Sequence, residues 1–115
     1  MYQKGNVFEK NKHNGWFYGY FMPEGLAKDE RVEIKVAKLD KSFTSPPHFS
    51  KIATKIDVIW QGSAIWEVDG EEIKLEKGDY VIIPPNTRVG VKKVISDELI
   101  VQTIKIPSIA NDKFS

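Results

Sequence analysis

The sequence predicts an all-β domain, and three observations support this. Apolar residues fall in short segments of strand length, several of which alternate apolar and polar side chains. Glycine, proline, asparagine and aspartate punctuate the chain between these segments. No stretch keeps the apolar period of a helix over several turns. A length of 115 residues is that of one domain, so residues 1–115 are treated as a single unit.

In the first half of the chain, the predicted strands are bounded by turn residues. The aromatic run 16–22 has strand length and ends at Pro23. Residues 31–37 alternate strictly, with apolar side chains on one face and Glu33 and Lys35 on the other, which indicates a half-buried strand. Pro46 and Pro47 lack a backbone donor, so we expect this segment to lie outside any ladder.

In the second half, strand patterns follow one another at regular spacing. Asp69-Gly70 is a strong hairpin signal, because both central residues of such a turn need positive φ. The predicted strands are residues 56–60, 63–68, 72–75, 80–83, 88–93 and 98–106. Short strands at this spacing are typical of a closed barrel or a double-sheet jelly roll, and the pattern does not separate the two.

Composition and charge exclude several classes of function. The net charge is +1 and the lysines are scattered, so we expect neither a nucleic-acid partner nor a membrane partner. The chain has no cysteine, which excludes disulfides and thiolate metal sites and fits a reducing compartment. The first residues lack the apolar region of a signal peptide, so we expect a cytoplasmic location.

Several blocks of the sequence together resemble the small single-domain cupins. The resemblance starts at about Trp16 and is carried by Pro47-His48 and by residues 56–62, 68–72, 78–84 and 104–108. Its most specific part is Gly78-Asp79-Tyr80-Val81-Ile82-Ile83-Pro84. The resemblance implies a double-stranded β-helix, that is, a jelly-roll barrel.

The same resemblance predicts a degenerate metal site. Cupins usually hold a metal with histidines and one glutamate inside the barrel. At the corresponding positions this chain has His48, Ser50, Lys55 and Val89, so only one of the usual ligands is present. A protonated lysine repels a divalent cation, and we therefore predict no metal and no cofactor. The other histidine, His13, is read as an exposed loop residue.

The inward face of the strand that begins near Lys55 is the candidate binding surface. If alternation holds, Lys55 and Asp57 share a face with Ile59 and Gln61. The resemblance places this face inside the barrel, where Lys55 could pair with Asp57 or bind an anionic ligand. A register slip would instead send Lys55 to solvent. We predict a pocket for a carbohydrate or organic acid lined by His48, Ser50, Lys55 and Asp57, with Val89 as an apolar wall.

Two other functions remain open. The first is an enzyme, either metal-dependent with atypical ligands or a metal-free isomerase or epimerase using His48, Asp57 and Tyr80. The second is a barrel filled by side chains that acts through its surface.

The aromatic residues also allow more than one role. Trp60 and Trp66 could form a platform for a sugar ring, or they could fill the core or a dimer face. The run 16–21 has aromatics on both faces, and we expect a homodimer to cover it.

Overall fold

The computed structural model describes residues 1–9, 14–23 and 25–115, so His13 lies outside the described residues. This part of the chain contains nine β-strands and no helix. The strands are β1 (Trp16–Tyr18), β2 (Glu33–Leu39), β3 (Ser45–His48), β4 (Thr54–Gln61), β5 (Ser63–Val68), β6 (Glu71–Glu76), β7 (Tyr80–Ile83), β8 (Val89–Val94) and β9 (Leu99–Ile106).

The strands form two antiparallel sheets with jelly-roll connections. The five-stranded sheet has the order β1-β2-β9-β4-β7, and the four-stranded sheet has the order β3-β8-β5-β6. The chain therefore crosses repeatedly from one sheet to the other. The predicted all-β jelly roll is confirmed, and most predicted strands agree with the observed ones within two residues.

The proline segment departs from the prediction. Residues 45–48 form the short edge strand β3, although we expected them to lie outside any ladder. Only Ser45 and His48 have register partners on β8, and the register shifts between them, over the two prolines. An edge strand with a bulge needs no donor from those residues, which is how proline is tolerated in a sheet.

Two of the predicted turns have the backbone geometry that their residues favour. Asp69 and Gly70 both have positive φ, 48° and 83°, and join β5 to β6 as a tight hairpin. Gly62, at φ 89°, separates β4 from β5. A Cβ atom at Gly62 would overlap the backbone oxygen of Glu98 and the hydroxyl of Ser96, so this turn also requires the missing side chain.

The hydrophobic core fills one end of the space between the sheets. Its buried members are Ile59, Ala64, Trp66, Leu75, Ile83, Val89, Val94, Leu99 and Val101. Three strands of the larger sheet, β2, β4 and β9, contribute apolar inward residues at this end and charged or hydroxyl residues at the other. The second end is consequently not filled by a core.

Strand β2 turns its polar face inward. A half-buried strand normally directs its apolar residues to the core. Here Glu33 is 7% exposed and Lys35 lines a cavity, whereas Ile34 and Val36 lie on the opposite, outer face of the five-stranded sheet. The charged residues of β2 therefore belong to the interior of the protein.

Replacing Gly62 by alanine tests the close approach at this turn. Gly62→Ala and Gly78→Ala both place a side chain at a φ near 90°, which costs about 1–2 kcal/mol. Only Gly62→Ala also overlaps its surroundings, and this adds roughly 1–3 kcal/mol. Urea unfolding should show the larger loss of stability for Gly62→Ala. Equal losses for both variants would contradict the packing described here.

Candidate functional site

A cavity of about 670 Å³ occupies the end of the sandwich that the core leaves free. Its floor and one wall come from the inward residues of β2, β4 and β9. A second wall comes from the segment of residues 107–113, which follows β9. This segment is held in place at its end, because Phe114 exchanges two backbone hydrogen bonds of 2.9 Å with Phe49, just after β3.

Charged residues form two rows across the larger sheet. In the first row, Glu33 pairs in register with Lys105, which also pairs with Lys55. In the second row, Lys35 pairs with Thr103, which also pairs with Asp57. Directly opposed side chains in an antiparallel sheet have Cβ atoms about 4.5–5.5 Å apart. The two rows therefore place three lysines and two carboxylates on one surface of the cavity.

Asp57 is the buried centre of this surface. Asp57 is 1% exposed, and each side-chain oxygen accepts a hydrogen bond: Oδ2 from Trp66 Nε1 at 2.9 Å and Oδ1 from Thr103 Oγ1 at 2.7 Å. Lys55 Nζ lies 3.6 Å from Oδ2. A buried carboxylate needs such partners, since desolvation of an unpaired charge is costly.

Lys35 and Lys105 lie against the face of Trp16. Their Nζ atoms are 5.1 Å and 5.8 Å from the ring centroid, which is cation–π geometry. Burial, followed by the charge of Lys55, lowers the pKa of Lys35 to about 8. The same two causes lower the pKa of Lys105. These ammonium groups are thus partly desolvated and repel one another.

The two remaining carboxylates at the cavity support its walls. Asp112 accepts backbone hydrogen bonds from Lys51, Ile52 and Ala53. Burial opposes ionisation of Asp112, but these bonds outweigh it and lower the pKa. Glu33 accepts a bond from Ser108 Oγ at 3.2 Å, and burial raises its pKa against the opposing charge of Lys105.

His48 lies at the edge of the cavity, half-buried, with Nδ1 3.2 Å from the backbone oxygen of Pro46. Burial lowers its pKa to about 4, and the charges of Lys55, Lys113 and Lys105 act in the same direction. The imidazole of His48 is therefore uncharged at neutral pH.

Four of the five predicted site residues line the cavity. These are His48, Ser50, Lys55 and Asp57, so Lys55 faces inward, the first of the two orientations that the sequence left open. Val89 is different: it belongs to the hydrophobic core, 3% exposed, and borders only a small hollow of about 10 Å³ beside Ile83. Val89 does not form a wall of the main cavity, because its side chain is packed within the core; Val91, on the same strand β8, lines the cavity instead. A binding role for the four remains a prediction.

The aromatic residues separate into three environments. Trp66 is buried in the core, whereas Trp60 is 54% exposed on the outer face of β4, so the two cannot form a common platform. Trp16 faces the cavity, and Phe21 packs edge-on against it at 5.8 Å.

Tyr80 is also misplaced for the role that the isomerase hypothesis gave it. Its side chain is 66% exposed and pairs across the outer face with Val58. His48, Asp57 and Tyr80 therefore do not converge, and a catalytic group of these three residues is excluded.

Sequence reasoning missed Lys35 and Lys105. The signal was present in the alternation itself: Glu33/Lys35, Lys55/Asp57 and Thr103/Lys105 are polar pairs two residues apart, each with an apolar residue between them. Finding it would have required knowing that the polar face of β2 is the inner one.

The residues at the usual cupin metal position do not fit a divalent cation. Lys55 brings an ammonium group, Ser50 a weak hydroxyl ligand, and Val89 no donor, which leaves His48 alone. Among the described residues, no group of three or more His, Asp or Glu side chains converges as a metal site would require.

Comparison with solved structures defines the fold. KdgF from Halomonas sp. is 23% identical, with a TM-score of 0.62, over 71% of this chain and 74% of that one. An uncharacterised double-stranded β-helix protein from Klebsiella pneumoniae is 17% identical, with a TM-score of 0.66, over 75% and 70%. The Cnp3 cupin domain of Schizosaccharomyces pombe is 15% identical, with a TM-score of 0.64, over 70% and 58%.

The chain therefore has the cupin fold, the double-stranded β-helix that the sequence blocks predicted. It spans half or less of some longer matched chains, with 50% and 43% coverage in two cases. No protein-family model and no curated protein matches the sequence. Within its described part, the chain has no helix long and apolar enough to cross a membrane, and a cytoplasmic location stays a prediction.

The titration of His48 tests the electrostatics of the cavity. NMR should show its imidazole ionising near pH 4, well below the ordinary value of about 6.5. Lys55→Met removes one of the lowering charges and should raise this pKa, whereas Lys38→Met, on the outer side of β2, should leave it unchanged. His13→Gln assigns the two histidine signals. An unshifted His48 in the native protein would contradict the burial described here.

Proposed function

We propose that this protein binds a small polar molecule, a carbohydrate or an organic acid, in the cavity of its barrel. The observation that carries the proposal is the cavity of about 670 Å³ lined by polar and charged side chains. Ligand sites in proteins generally have volumes of about 300–1,000 Å³. A barrel filled by side chains would have no open cavity beside Lys55.

The lining offers the contacts that such a molecule needs. Lysine ammonium groups donate hydrogen bonds, and the Ser45 and Ser50 hydroxyls donate or accept them. Trp16 adds the edge of an indole to the same surface, with its ring face against Lys35 and Lys105. Val91 and Val101 add a smaller apolar part. A few convergent polar groups beside apolar walls are typical of a small-molecule site.

Ligand-induced thermal stabilisation tests this proposal. Screening the purified protein against monosaccharides and organic acids should give at least one compound that raises Tm progressively, with the logarithm of its concentration above Kd, as binding to the native state requires. Lys55→Ala should weaken this binding about tenfold or more, through loss of a charge-assisted hydrogen bond. Lys93→Ala, on the exposed side of β8, is the matched control and should bind as the native protein does. A shift that Lys55→Ala leaves intact would place the ligand elsewhere.

We also propose that the protein forms a homodimer, through a surface other than the aromatic run at β1. The aromatic run at β1 is largely accounted for within one chain, because Trp16 and Phe21 face the cavity and Tyr18 donates a hydrogen bond to Asp29. The larger unpartnered apolar surface is the outer face of the five-stranded sheet. It carries Ile34, Val36, Ile56, Val58, Trp60, Tyr80, Ile82, Ile100, Ile104 and Ile106.

A second copy of the chain suits this outer face. Trp60, Tyr80, Ile82 and Ile106 are 48–66% exposed, and an apolar surface of this kind is unusual on a monomer. Lys38, near the end of β2, is the one charged side chain that β2, β9, β4 and β7 direct to this face, so a two-fold axis would bring few like charges together. Two-fold interfaces use the same patch on both subunits, which makes such self-complementarity the relevant property.

A lysine placed on the outer face should separate the subunits. The native protein should elute with twice the chain mass of 13.1 kDa in light scattering, and Ile82→Lys should elute as a monomer because its charge would be buried at the interface. Ile52→Lys is a close control, since Ile52 and Ile82 are 55% and 56% exposed and Ile52 lies off this face. A monomeric native protein would refute the proposal.

A further inference from the structure

The cavity contains one more ammonium group than carboxylate groups, with Lys35, Lys55, Lys105 and Lys113 against Glu33, Asp57 and Asp112. Lys55 and Lys105 are directly opposed in register on β4 and β9. Like charges at directly opposed positions of a sheet destabilise it. Lys35 lies on the neighbouring strand β2, diagonally from Lys105, two residues after its register partner Glu33. Lys113, in the cavity wall, adds a fourth ammonium group.

The carboxylates of the cavity are already committed to structural hydrogen bonds. Both oxygens of Asp57 are occupied by Trp66 and Thr103, and both oxygens of Asp112 by the backbone of residues 51–53. Glu33 is bonded to Ser108. Within the described residues, Lys55 has an ion pair, with Asp57 at 3.6 Å, while Lys35, Lys105 and Lys113 have no carboxylate oxygen within 4.0 Å.

Burial makes this excess more significant. Charges on the surface of a protein are neutralised by water and salt, but these lysines line an interior surface where both are reduced. The ring face of Trp16 lies against the ammonium groups of Lys35 and Lys105, and this contact offsets part of the cost of desolvating them. The ring carries no net charge, so it does not neutralise them. A bound anion would relieve the repulsion between all of these ammonium groups at once.

We infer that the ligand of this cavity carries an oxyanion group, a carboxylate or a phosphate, which is bound jointly by Lys35, Lys55 and Lys105. This inference rests on the proposed function and narrows it: a neutral sugar is not the ligand. The observation that supports this inference is the convergence of opposed lysines. A neutral hydroxyl compound could form hydrogen bonds with them, but it would leave the repulsion between their ammonium groups in place.

The lowered pKa of Lys35 makes the affinity for an anion depend on pH near neutrality. Lys35 has a pKa of about 8 in the free protein, so it loses its charge as the pH rises from 7 to 9. Affinity for an oxyanion should fall over this range. The other titratable groups at the surface are Lys55, Lys105, Lys113, Glu33, Asp57, Asp112, Tyr20 and His48, and His48 is already neutral there.

The experiment uses ligand pairs that differ only in charge. Gluconate and sorbitol share a carbon skeleton and differ at one carboxylate, and glucose 6-phosphate and glucose differ at one phosphate. Calorimetric titration of the native protein at constant ionic strength should show binding of at least one anion and no binding of its neutral partner. Which anion binds distinguishes a carboxylate from a phosphate ligand.

Substitution then assigns the binding to the lysines. Lys35→Met and Lys105→Met keep the buried alkyl stem and remove the charge, so each should weaken anion binding about tenfold or more. Lys38→Met, on the same strand as Lys35 but on its outer side, should bind as the native protein does. Circular dichroism and the Tm without ligand check that each variant is folded.

Other outcomes would separate the two proposals. If sorbitol or glucose binds as tightly as its anionic partner, the cavity binds small molecules but the inference about charge is wrong. The inference is also wrong if anion binding is unchanged in both Lys35→Met and Lys105→Met. If neither these compounds nor any in the wider screen of sugars and organic acids binds, the proposed function itself fails, and the inference fails with it.

Discussion

The architecture depends on one buried carboxylate that joins the two sheets. Asp57 on β4 accepts a hydrogen bond from Thr103 on β9 within the larger sheet and from the indole of Trp66 on β5 in the smaller one. It stands where the hydrophobic core ends and the polar cavity begins. On one side of it are Ile59 and Leu99, and on the other are Lys55 and Lys105. A charge at this position is stable only because all its partners are fixed by the sheets around it.

Most of the fold could be predicted from the sequence, because its determinants are local. The Asp69-Gly70 hairpin, the turn at Gly62 and the alternation in β4 each follow from the conformational preferences of a few neighbouring residues. β3 was missed because its prolines are acceptable only on an edge, and the order of strands in a sheet is a property of the whole chain.

The site was only half predicted, for a related physical reason. Lys55 and Asp57 were found because they lie in one recognisable strand, whereas Lys35 and Lys105 come together with them through register across three strands. Alternation in β2 also suggested the opposite orientation to the one observed, since its apolar residues lie outside. The tertiary arrangement there overrides the usual direction of a half-buried strand.

Strands β2, β4 and β9 each have an apolar end and a charged end, and this division affects which amino-acid substitutions the protein can accept. Stability comes mainly from the core end, through residues such as Ile59 and Val101, whereas the chemistry of the cavity comes from residues four positions away on the same strands. Substitutions at the charged end can alter selectivity while the framework that holds them stays intact. Each strand is in this sense a modular scaffold, and Asp57 lies at the boundary, bonded to Trp66 of the core and paired with Lys55 of the cavity.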